Sequence, residues 1–306
     1  MTCVLITGSE GLIGRCLRQE LLAQGVECLG YDKKVESGGS GGGDILDRDM
    51  LQHAVESCDG VIHLAAVSRV HWGEKDPDLC WRTNVDGTSH VLEAAIRARS
   101  RPWVLFASSR EVYGNPARLP VSEDDPIQPV NVYGRSKAAA EASVRSAERA
   151  GLKTAILRFA SVYGSVLDHP DRAAPAFAKG AAAGKPLVVT GGENMFDFVH
   201  VSDTVRGIVM TMQLLAESTG ALPPIHLTTG QGTTLRQLAQ LAANEAGTVV
   251  PIVEAPQRTY DVSQFVGTPS RAQSILGWRA EIDVAQGMRR LVSEFQNSGR
   301  VEPTVR

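Results

Sequence analysis

Short apolar runs alternate with longer stretches of helical periodicity through the first half of the chain. The apolar runs cover residues 2–7, 26–31, 61–66, 103–107 and 154–159. Runs of this length, bounded by glycine or polar residues, are typical of buried strands. Their regular alternation with helices predicts an α/β fold built on a doubly wound parallel sheet.

The pattern becomes less regular after Gly164, where proline, glycine and longer loops are more frequent. We expect a first domain over residues 1–165, to which segments near 187–217 return. A smaller C-terminal α/β domain would occupy most of residues 166–306 and supply a substrate pocket. Further helices are predicted near 173–183, 202–217, 234–246 and 284–297.

Composition argues against several classes of partner. The 306 residues carry a formal net charge of −3, with both signs spread along the chain, so nothing indicates nucleic acid or an anionic membrane. No apolar run is long enough to span a bilayer, and no secretion signal is apparent at the start. The five cysteines include no Cys-x-x-Cys pair, so we expect no metal site, reduced thiols and a cytoplasmic protein.

A glycine motif follows the first predicted strand. Gly8, Gly11 and Gly14 stand at Gly-x-x-Gly-x-x-Gly spacing, and a helical pattern runs from Leu12 to about Gln24. The first two glycines would allow backbone N–H groups to approach a pyrophosphate, and the third would let helix and strand pack closely. Three such glycines alone are weak evidence, but the strand–loop–helix order is that of a Rossmann dinucleotide site.

The end of the second strand strengthens this interpretation. Asp32 lies near the interval at which a carboxylate accepts hydrogen bonds from the adenosine ribose, and it would repel a 2′-phosphate. NAD is therefore favoured over NADP, although Lys33 and Lys34 keep NADP open. Asp44 and Ile45, after the glycine-rich segment, form the next apparent strand end, where an Asp can bond the adenine.

Candidate catalytic residues lie further along. Tyr133 and Lys137 are four residues apart, so on a helix they share one face. A neighbouring ammonium favours a phenolate, which brings a tyrosine closer to use as a base. Ser108 and Ser109 lie upstream, and a serine hydroxyl could hold the same substrate oxygen. The set predicts removal of a proton from an alcohol, with a nicotinamide as hydride acceptor.

These segments together resemble the extended short-chain dehydrogenase/reductase family, in its NAD-dependent nucleotide-sugar epimerase/dehydratase branch. The matches keep their order through almost the whole chain. They are residues 8–14, Asp32, 44–45, 63–66, 83–88, 108–114, 133–137, 157–159, 162–164, 197–203, Arg258, Asp261, 270–272 and 276–278.

The resemblance implies roles for single positions. Tyr133 would take the substrate proton, Lys137 would hold the nicotinamide ribose, and Ser109 is the family's catalytic hydroxyl. The implied cofactor contacts are Gly8, Gly11, Leu12, Ile13, Gly14, Asp32, Asp44, Ile45, Leu64, Ala65, Ala66, Tyr133 and Lys137. The implied substrate contacts are Ser68, Asn84, Ser108, Ser109, Ser161, Phe196 and Arg258, with a structural bond an equal alternative for Asn84.

Two departures limit how far the family's chemistry carries over. Dehydratases of this branch have Thr-Asp-Glu where this chain has Ser109-Arg110-Glu111. An arginine cannot act as a general acid near neutral pH, which argues against ordinary 4,6-dehydration. Glu111 is either a second catalytic base or an ion-pair partner of Arg110 or Arg158.

The second departure concerns the nucleotide diphosphate. The family usually places an arginine where this chain has Phe196, and a phenyl ring cannot replace a bidentate phosphate clamp. Arg258 matches a second phosphate-binding arginine of the family. Ser161 stands where a substrate-binding asparagine is frequent. An unusual nucleotide sugar, or a substrate without the diphosphate, is therefore open.

The sequence predicts an NAD-dependent nucleotide-sugar epimerase, most simply of the 4-epimerase type, which oxidises a sugar hydroxyl transiently to a ketone. One alternative is a dehydratase or decarboxylase that uses Glu111; another is an NAD-dependent sugar dehydrogenase. A non-catalytic NAD-binding regulator is disfavoured because Ser109, Tyr133 and Lys137 are all intact. The alanine-rich helix near 136–150, with the one near 84–99, resembles the pair through which the family forms homodimers.

Overall fold

The computed structural model describes residues 3–35, 41–256 and 262–298. Its strands are β1 (Cys3–Thr7), β2 (Glu27–Tyr31), β3 (Gly60–His63), β4 (Trp103–Ser109), β5 (Thr154–Phe159), β6 (Ser161–Tyr163), β7 (Leu187–Thr190), β8 (Met195–His200), β9 (Ile225–Leu227), β10 (Gly232–Thr234), β11 (Ile252–Ala255) and β12 (Gln264–Phe265). Its α-helices are α1 (Leu12–Ala23), α2 (Arg48–Glu56), α3 (Val70–Lys75), α4 (Pro77–Trp81), α5 (Gly87–Arg97), α6 (Val132–Arg149), α7 (Ala173–Ala182), α8 (Val201–Glu217), α9 (Leu235–Asn244), α10 (Ser270–Leu276) and α11 (Val284–Ser298).

The main sheet has six strands in the order β2-β1-β3-β4-β5-β9, and every neighbouring pair is parallel. The order runs outward in both directions from β1 and β3, which is the doubly wound arrangement. The predicted fold class is confirmed. The short β9 extends this sheet from well beyond residue 165.

Alternation along β1 explains why both faces of the sheet carry helices. Successive side chains of a strand point to opposite faces. Val4 and Ile6 pack in one apolar cluster with Leu17 of α1, whereas Leu5 packs in a second cluster with Leu51 of α2. Helices α5 and α6 cover the second face, and α8 packs against α1 on the first.

Smaller sheets form the second half of the chain. Strand β8 pairs with β6, β10 and β12, and β7 pairs with β11. Helices α7, α9 and α11 pack against one another. The boundary near residue 165, and the return of the segment 187–217, stay predictions. No helix within the described ranges is long and apolar enough to cross a membrane.

The topology brings several chain segments to one edge of the main sheet. The carboxyl ends of parallel strands lie together there, and a crevice beside them is the usual ligand site of such sheets. The loop after β1, the end of β4 and the first turn of α6 all meet at this edge.

Candidate active site

A cavity of about 510 Å³ opens at this edge of the sheet. Its walls come from the glycine loop, the end of β4, the first turn of α6 and the segment that leads into α7. Pockets of this size accommodate small organic ligands and cofactors. The cavity therefore unites the predicted cofactor site with the predicted catalytic residues.

The glycine loop leaves no room for side chains. Gly8 has a φ of +73°, a region that favours glycine, and a Cβ there would lie 2.7 Å from the backbone nitrogen of Ala65. A Cβ on Gly14 would collide with the Gly8 carbonyl oxygen and lie 2.8 Å from the Cα of Ser9. Gly11 precedes α1 without any side-chain cap, so the first N–H groups of the helix would be available to bind an anion. These features fit the pyrophosphate of NAD.

Several predicted cofactor residues lie outside the cavity wall. Asp32 is largely buried, and its carboxylate accepts hydrogen bonds from the backbone N–H groups of Glu10 and Lys34, each at 2.9 Å. Asp44 is exposed, whereas Ile45 is buried beneath α5. Asp32 therefore fixes the glycine loop in addition to its predicted ribose contact.

The other predicted cofactor residues are easier to place. Those that line the cavity are Gly8, Gly11, Leu12, Ile13, Gly14, Leu64, Ala66, Tyr133 and Lys137. Ala65 lies behind the loop, where its backbone closes against Gly8.

Ser109 and Tyr133 come from different elements and meet in the cavity. Ser109 ends β4, and its hydroxyl accepts a hydrogen bond from the Glu111 N–H at 3.2 Å. Tyr133 lies in the first turn of α6 and is 8% exposed. Burial raises the pKa of Tyr133 to about 12, and a hydrogen bond with the Ser109 hydroxyl opposes this rise. The pair is placed to bind one substrate oxygen.

Lys137 lies one helical turn further along α6 and is 3% exposed. Its Nζ donates to the Ala107 carbonyl at 2.8 Å and lies 4.7 Å from the ring centre of Phe106. Burial lowers the pKa of Lys137 to about 8. The effect of Lys137 on the pKa of Tyr133 stays a prediction; the largest influence on that pKa is desolvation of the phenol by burial.

A buried ion pair fixes α6 behind the catalytic residues. Glu141 accepts from Arg158 Nε at 2.9 Å and from Arg158 Nη2 at 2.8 Å, and both side chains are almost fully buried. The Ser108 hydroxyl donates to the same carboxylate at 2.6 Å. Ser108 therefore serves the support of the site, although it also lines the cavity.

Glu111 lines the cavity, but its carboxylate already has partners. Arg110 Nη2 lies 2.9 Å from its Oε1, and the Asn131 amide donates to its Oε2 at 2.8 Å. Asn131 also caps α6 by accepting from the Gly134 N–H at 2.7 Å. Glu111 thus forms the predicted ion pair, and its partner is Arg110. Arg158 is paired with Glu141 instead.

The predicted substrate residues divide into three groups. Those that line the cavity are Ser68, Ser108, Ser109, Ser161 and Phe196. Asn84 does not: it is fully buried, its Oδ1 accepts from the Val67 N–H at 2.8 Å, and its Nδ2 donates to the Ser136 hydroxyl at 2.8 Å. Of the two alternatives for Asn84, a substrate contact or a structural hydrogen bond, the structure shows the structural one. Arg258 lies outside the described residues.

Some residues of the cavity wall carry no sequence signal. Arg69, just before α3, is bonded through Nη1 to Asp171 at 2.6 Å, which joins two loops across the cavity. Asp168 and Arg172 also line the wall, and Asp168 Oδ2 is buried without a hydrogen-bond partner. The segment 165–172 matches none of the motifs above, so only the fold brings Asp168, Asp171 and Arg172 to the site. The described residues contain no cluster of His, Cys, Asp and Glu suited to a metal ion.

Comparison with known proteins agrees with this geometry. UDP-glucose 4-epimerase of Lacticaseibacillus casei is 28% identical, over 92% of this chain and 92% of its own. The structure of MoeE5 with UDP-glucuronic acid and NAD matches at a TM-score of 0.88 and 28% identity, covering 97% of this chain and 99% of its own. DesIV, a dTDP-glucose 4,6-dehydratase of Streptomyces venezuelae solved with NAD and TYD, matches at 0.87 and 27%, covering 98% and 99%.

A family model agrees with these likenesses and extends over most of the described chain. The model of the NAD dependent epimerase/dehydratase family matches residues 4–221, which include the glycine loop, Ser109, Tyr133 and Lys137. With a glycine cradle that fits NAD and a serine–tyrosine pair in the same cavity, the chain belongs to the NAD-dependent epimerase/dehydratase family.

Proposed function

We propose that this protein is an NAD-dependent nucleotide-sugar epimerase that oxidises a sugar hydroxyl transiently to a ketone, most simply at C4. The observation that carries the proposal is that Ser109, Tyr133 and Lys137 line the same cavity as the glycine loop. The names of the relatives support a nucleotide sugar as substrate, since they include a UDP-glucose epimerase and proteins solved with UDP-glucuronic acid or UDP-glucose.

The residues of this chain divide the work between binding and proton transfer. The Ser109 hydroxyl and the Tyr133 oxygen bind the substrate hydroxyl, and Tyr133, as the phenolate, accepts the proton of that hydroxyl to become the neutral phenol. NAD, when bound, supplies the hydride acceptor and a positive charge. A positive charge near a buried phenol favours the phenolate and so opposes the effect of burial on Tyr133. Lys137, on the same face of α6 one turn later, would hold the nicotinamide ribose.

The state of Glu111 favours epimerisation over elimination or decarboxylation. An epimerase needs no second base once the ketone has formed. The carboxylate of Glu111 is engaged on one oxygen by Arg110 and on the other by Asn131. Proton abstraction by Glu111 would cost the charge-assisted bond with Arg110. The dehydratase or decarboxylase alternative thus has the Glu111 that it needs, but the contacts with Arg110 and Asn131 oppose the use of Glu111 as a base.

The reaction is tested by incubating the NAD-loaded protein with UDP-glucose, UDP-galactose, UDP-glucuronate and dTDP-glucose in deuterated water. Proton NMR of the products separates the alternatives. Inversion at one carbon without solvent deuterium supports the epimerase. Deuterium at the neighbouring carbon indicates chemistry at Glu111, and accumulated NADH indicates a dehydrogenase. A protein that converts none of these substrates contradicts the proposal.

Tyr133→Phe tests the assigned base. Loss of a positioned general base typically lowers kcat by about 10²- to 10⁴-fold, and we expect a loss in this range. Tyr163→Phe is the matched control, because the Tyr163 hydroxyl donates to the Val284 carbonyl at 3.4 Å. Steady-state kinetics on both variants measures the difference. Full activity of Tyr133→Phe would contradict the assignment of Tyr133 as the base.

A homodimer formed through α5 and α6 completes the proposal. The two helices pack against each other, and Ala138, Ala139 and Ala142 on α6 are half-buried or exposed within one protomer. Small side chains allow a partner helix to approach closely. The five free thiols support a reducing, cytoplasmic location. Sedimentation equilibrium measures the assembly state, and a monomer at micromolar concentration contradicts the dimer.

A further inference from the structure

Arg110 occupies a place in the cavity that the proposed proton transfer does not use. It follows Ser109 directly and begins the short 3₁₀ turn Arg110–Tyr113. Its side chain is 14% exposed and lines the cavity beside Ser109 and Tyr133. The carbon of its guanidinium lies 4.2 Å from the centre of the Phe196 ring, so the charged group is stacked on an aromatic platform.

The hydrogen bonds of Arg110 are incomplete. Nη2 is paired with Glu111 Oε1 at 2.9 Å. Nη1 is buried and has no acceptor among the described residues. A buried guanidinium donor without an acceptor is costly, and native proteins almost always satisfy such groups. The buried Arg158 shows the satisfied case, because its Nε, Nη1 and Nη2 all have oxygen acceptors.

Two contacts hold the guanidinium of Arg110 in place at the cavity wall. Stacking on Phe196 sets the plane of the guanidinium, and the bond to Glu111 sets its rotation in that plane. Glu111 is itself held by Asn131, which caps α6. The guanidinium, with its unpaired Nη1, is therefore preorganised, and preorganisation is what distinguishes a binding group from a flexible surface arginine.

We infer that Arg110 is a specificity-determining residue whose guanidinium binds an oxyanion of the substrate. This rests on the proposed function for the kind of molecule that enters the cavity. Nucleotide sugars offer two such oxyanions, a carboxylate on the sugar ring and the diphosphate. Both present planar or near-planar pairs of oxygen acceptors that match a guanidinium edge. The position of Arg110 next to Ser109, close to the reacting hydroxyl, favours the carboxylate of a nucleotide-linked uronate.

The test is a binding experiment, so it does not depend on turnover. Isothermal titration of the NAD-loaded protein with UDP, UDP-glucose and UDP-glucuronate compares wild type with Arg110→Met. Loss of a hydrogen bond to a charged group lowers affinity about 10- to 100-fold. A uronate contact predicts this loss for UDP-glucuronate alone, whereas a diphosphate contact predicts it for all three ligands. Equal affinity of wild type and variant for all three ligands overturns the inference.

Three further variants separate loss of the ligand contact from unrelated effects of the substitution. Arg110→Met leaves the Glu111 carboxylate without its cation, so Arg110→Met/Glu111→Gln removes that charge if the single variant folds poorly. Phe196→Leu keeps the guanidinium but removes its platform, and we expect a smaller loss in the same ligands. Arg118→Met is the matched control, because Arg118 is exposed and pairs with Asp125 at 2.9 Å.

The ratio of affinities for UDP-glucuronate and UDP-glucose separates a binding role from a structural one. If Arg110 is only structural, Arg110→Met lowers both affinities by the same factor. The affinity for free UDP and the folding stability then fall as well. Melting temperatures of the same samples show whether this has happened. If no nucleotide sugar is converted but the affinity pattern still depends on Arg110, the proposed reaction fails while the oxyanion contact stands.

Discussion

Removal of Arg158, which does not line the cavity, should strongly lower the free energy of unfolding. Arg158→Met deletes two charge-assisted hydrogen bonds to Glu141, at 2.9 and 2.8 Å, in a region where both side chains are almost fully buried. At about 1.5–3 kcal/mol for each bond to a charged group, the loss is about 3–6 kcal/mol. Breaking a buried pair by removal of one partner is known to cost about 3–5 kcal/mol, which agrees.

The same carboxylate provides a matched control. Arg145 Nη2 also bonds Glu141 at 2.8 Å, but the Arg145 side chain is 38% exposed. Water and salt screen such a pair, so Arg145→Met should cost at most about 1 kcal/mol. Two variants that each remove one cation from one acidic group should therefore differ by several-fold in their effect on the free energy of unfolding.

Urea unfolding followed by circular dichroism measures these free energies. The double variant Arg158→Met/Glu141→Leu removes the carboxylate that the single variant leaves buried without Arg158. We expect it to be more stable than Arg158→Met alone. The reasoning is refuted if Arg158→Met costs less than about 1 kcal/mol, or if the double variant loses the sum of the two single losses.

Three other perturbations follow from the structure. Gly14→Ala should destabilise the glycine loop by about 1–3 kcal/mol and weaken NAD binding in a titration, because its Cβ meets backbone, while Gly220→Ala, with nothing within 4 Å, should change neither. Asp32→Asn should shift the affinity ratio of NAD to NADP by about tenfold towards NADP, since it removes the charge that repels a 2′-phosphate, and an unchanged ratio contradicts the assignment. Burial lowers the pKa of His63 to about 3, so the folded protein keeps His63 neutral while the unfolded chain binds a proton below pH 6.5. Its contribution to stability is thus complete above pH 6.5 and is lost as the pH falls; between pH 7 and 5 the loss is about 2 kcal/mol, and urea unfolding of His63→Gln should show a correspondingly smaller change between these two pH values.

Local patterns were enough to predict the core of the fold and half of the site. The glycine loop could be predicted because strand, turn and helix are consecutive, and the structure places Gly8, Gly11 and Gly14 where the spacing requires. Tyr133 and Lys137 were likewise predictable because a helix fixes the relation between positions four apart. Glu141 lies on the same face one turn later, but the sequence analysis assigned it no role.

Contacts between distant segments could not be predicted in this way. The stacking of Arg110 on Phe196 joins residues 86 positions apart, and no periodicity links them. The desolvation that raises the pKa of Tyr133 depends on every segment that packs around α6, and the local spacing of Tyr133 and Lys137 carries no information about it. Strand β9 has three residues, which is too short for an apolar run to reveal it.

Asn131 has a consequence for how this enzyme could change its substrate. One end of its amide caps the helix that carries Tyr133, and the other end holds Glu111, the partner of Arg110. A mutation at position 110 therefore alters the restraint on the helix start as well as the ligand contact. Laboratory evolution of specificity at this position should require a second substitution at Glu111 or Asn131 before full turnover returns. Substrate selectivity and turnover rate are therefore coupled in this chain, because the Asn131 amide contacts both the helix that carries Tyr133 and the ion-pair partner of Arg110.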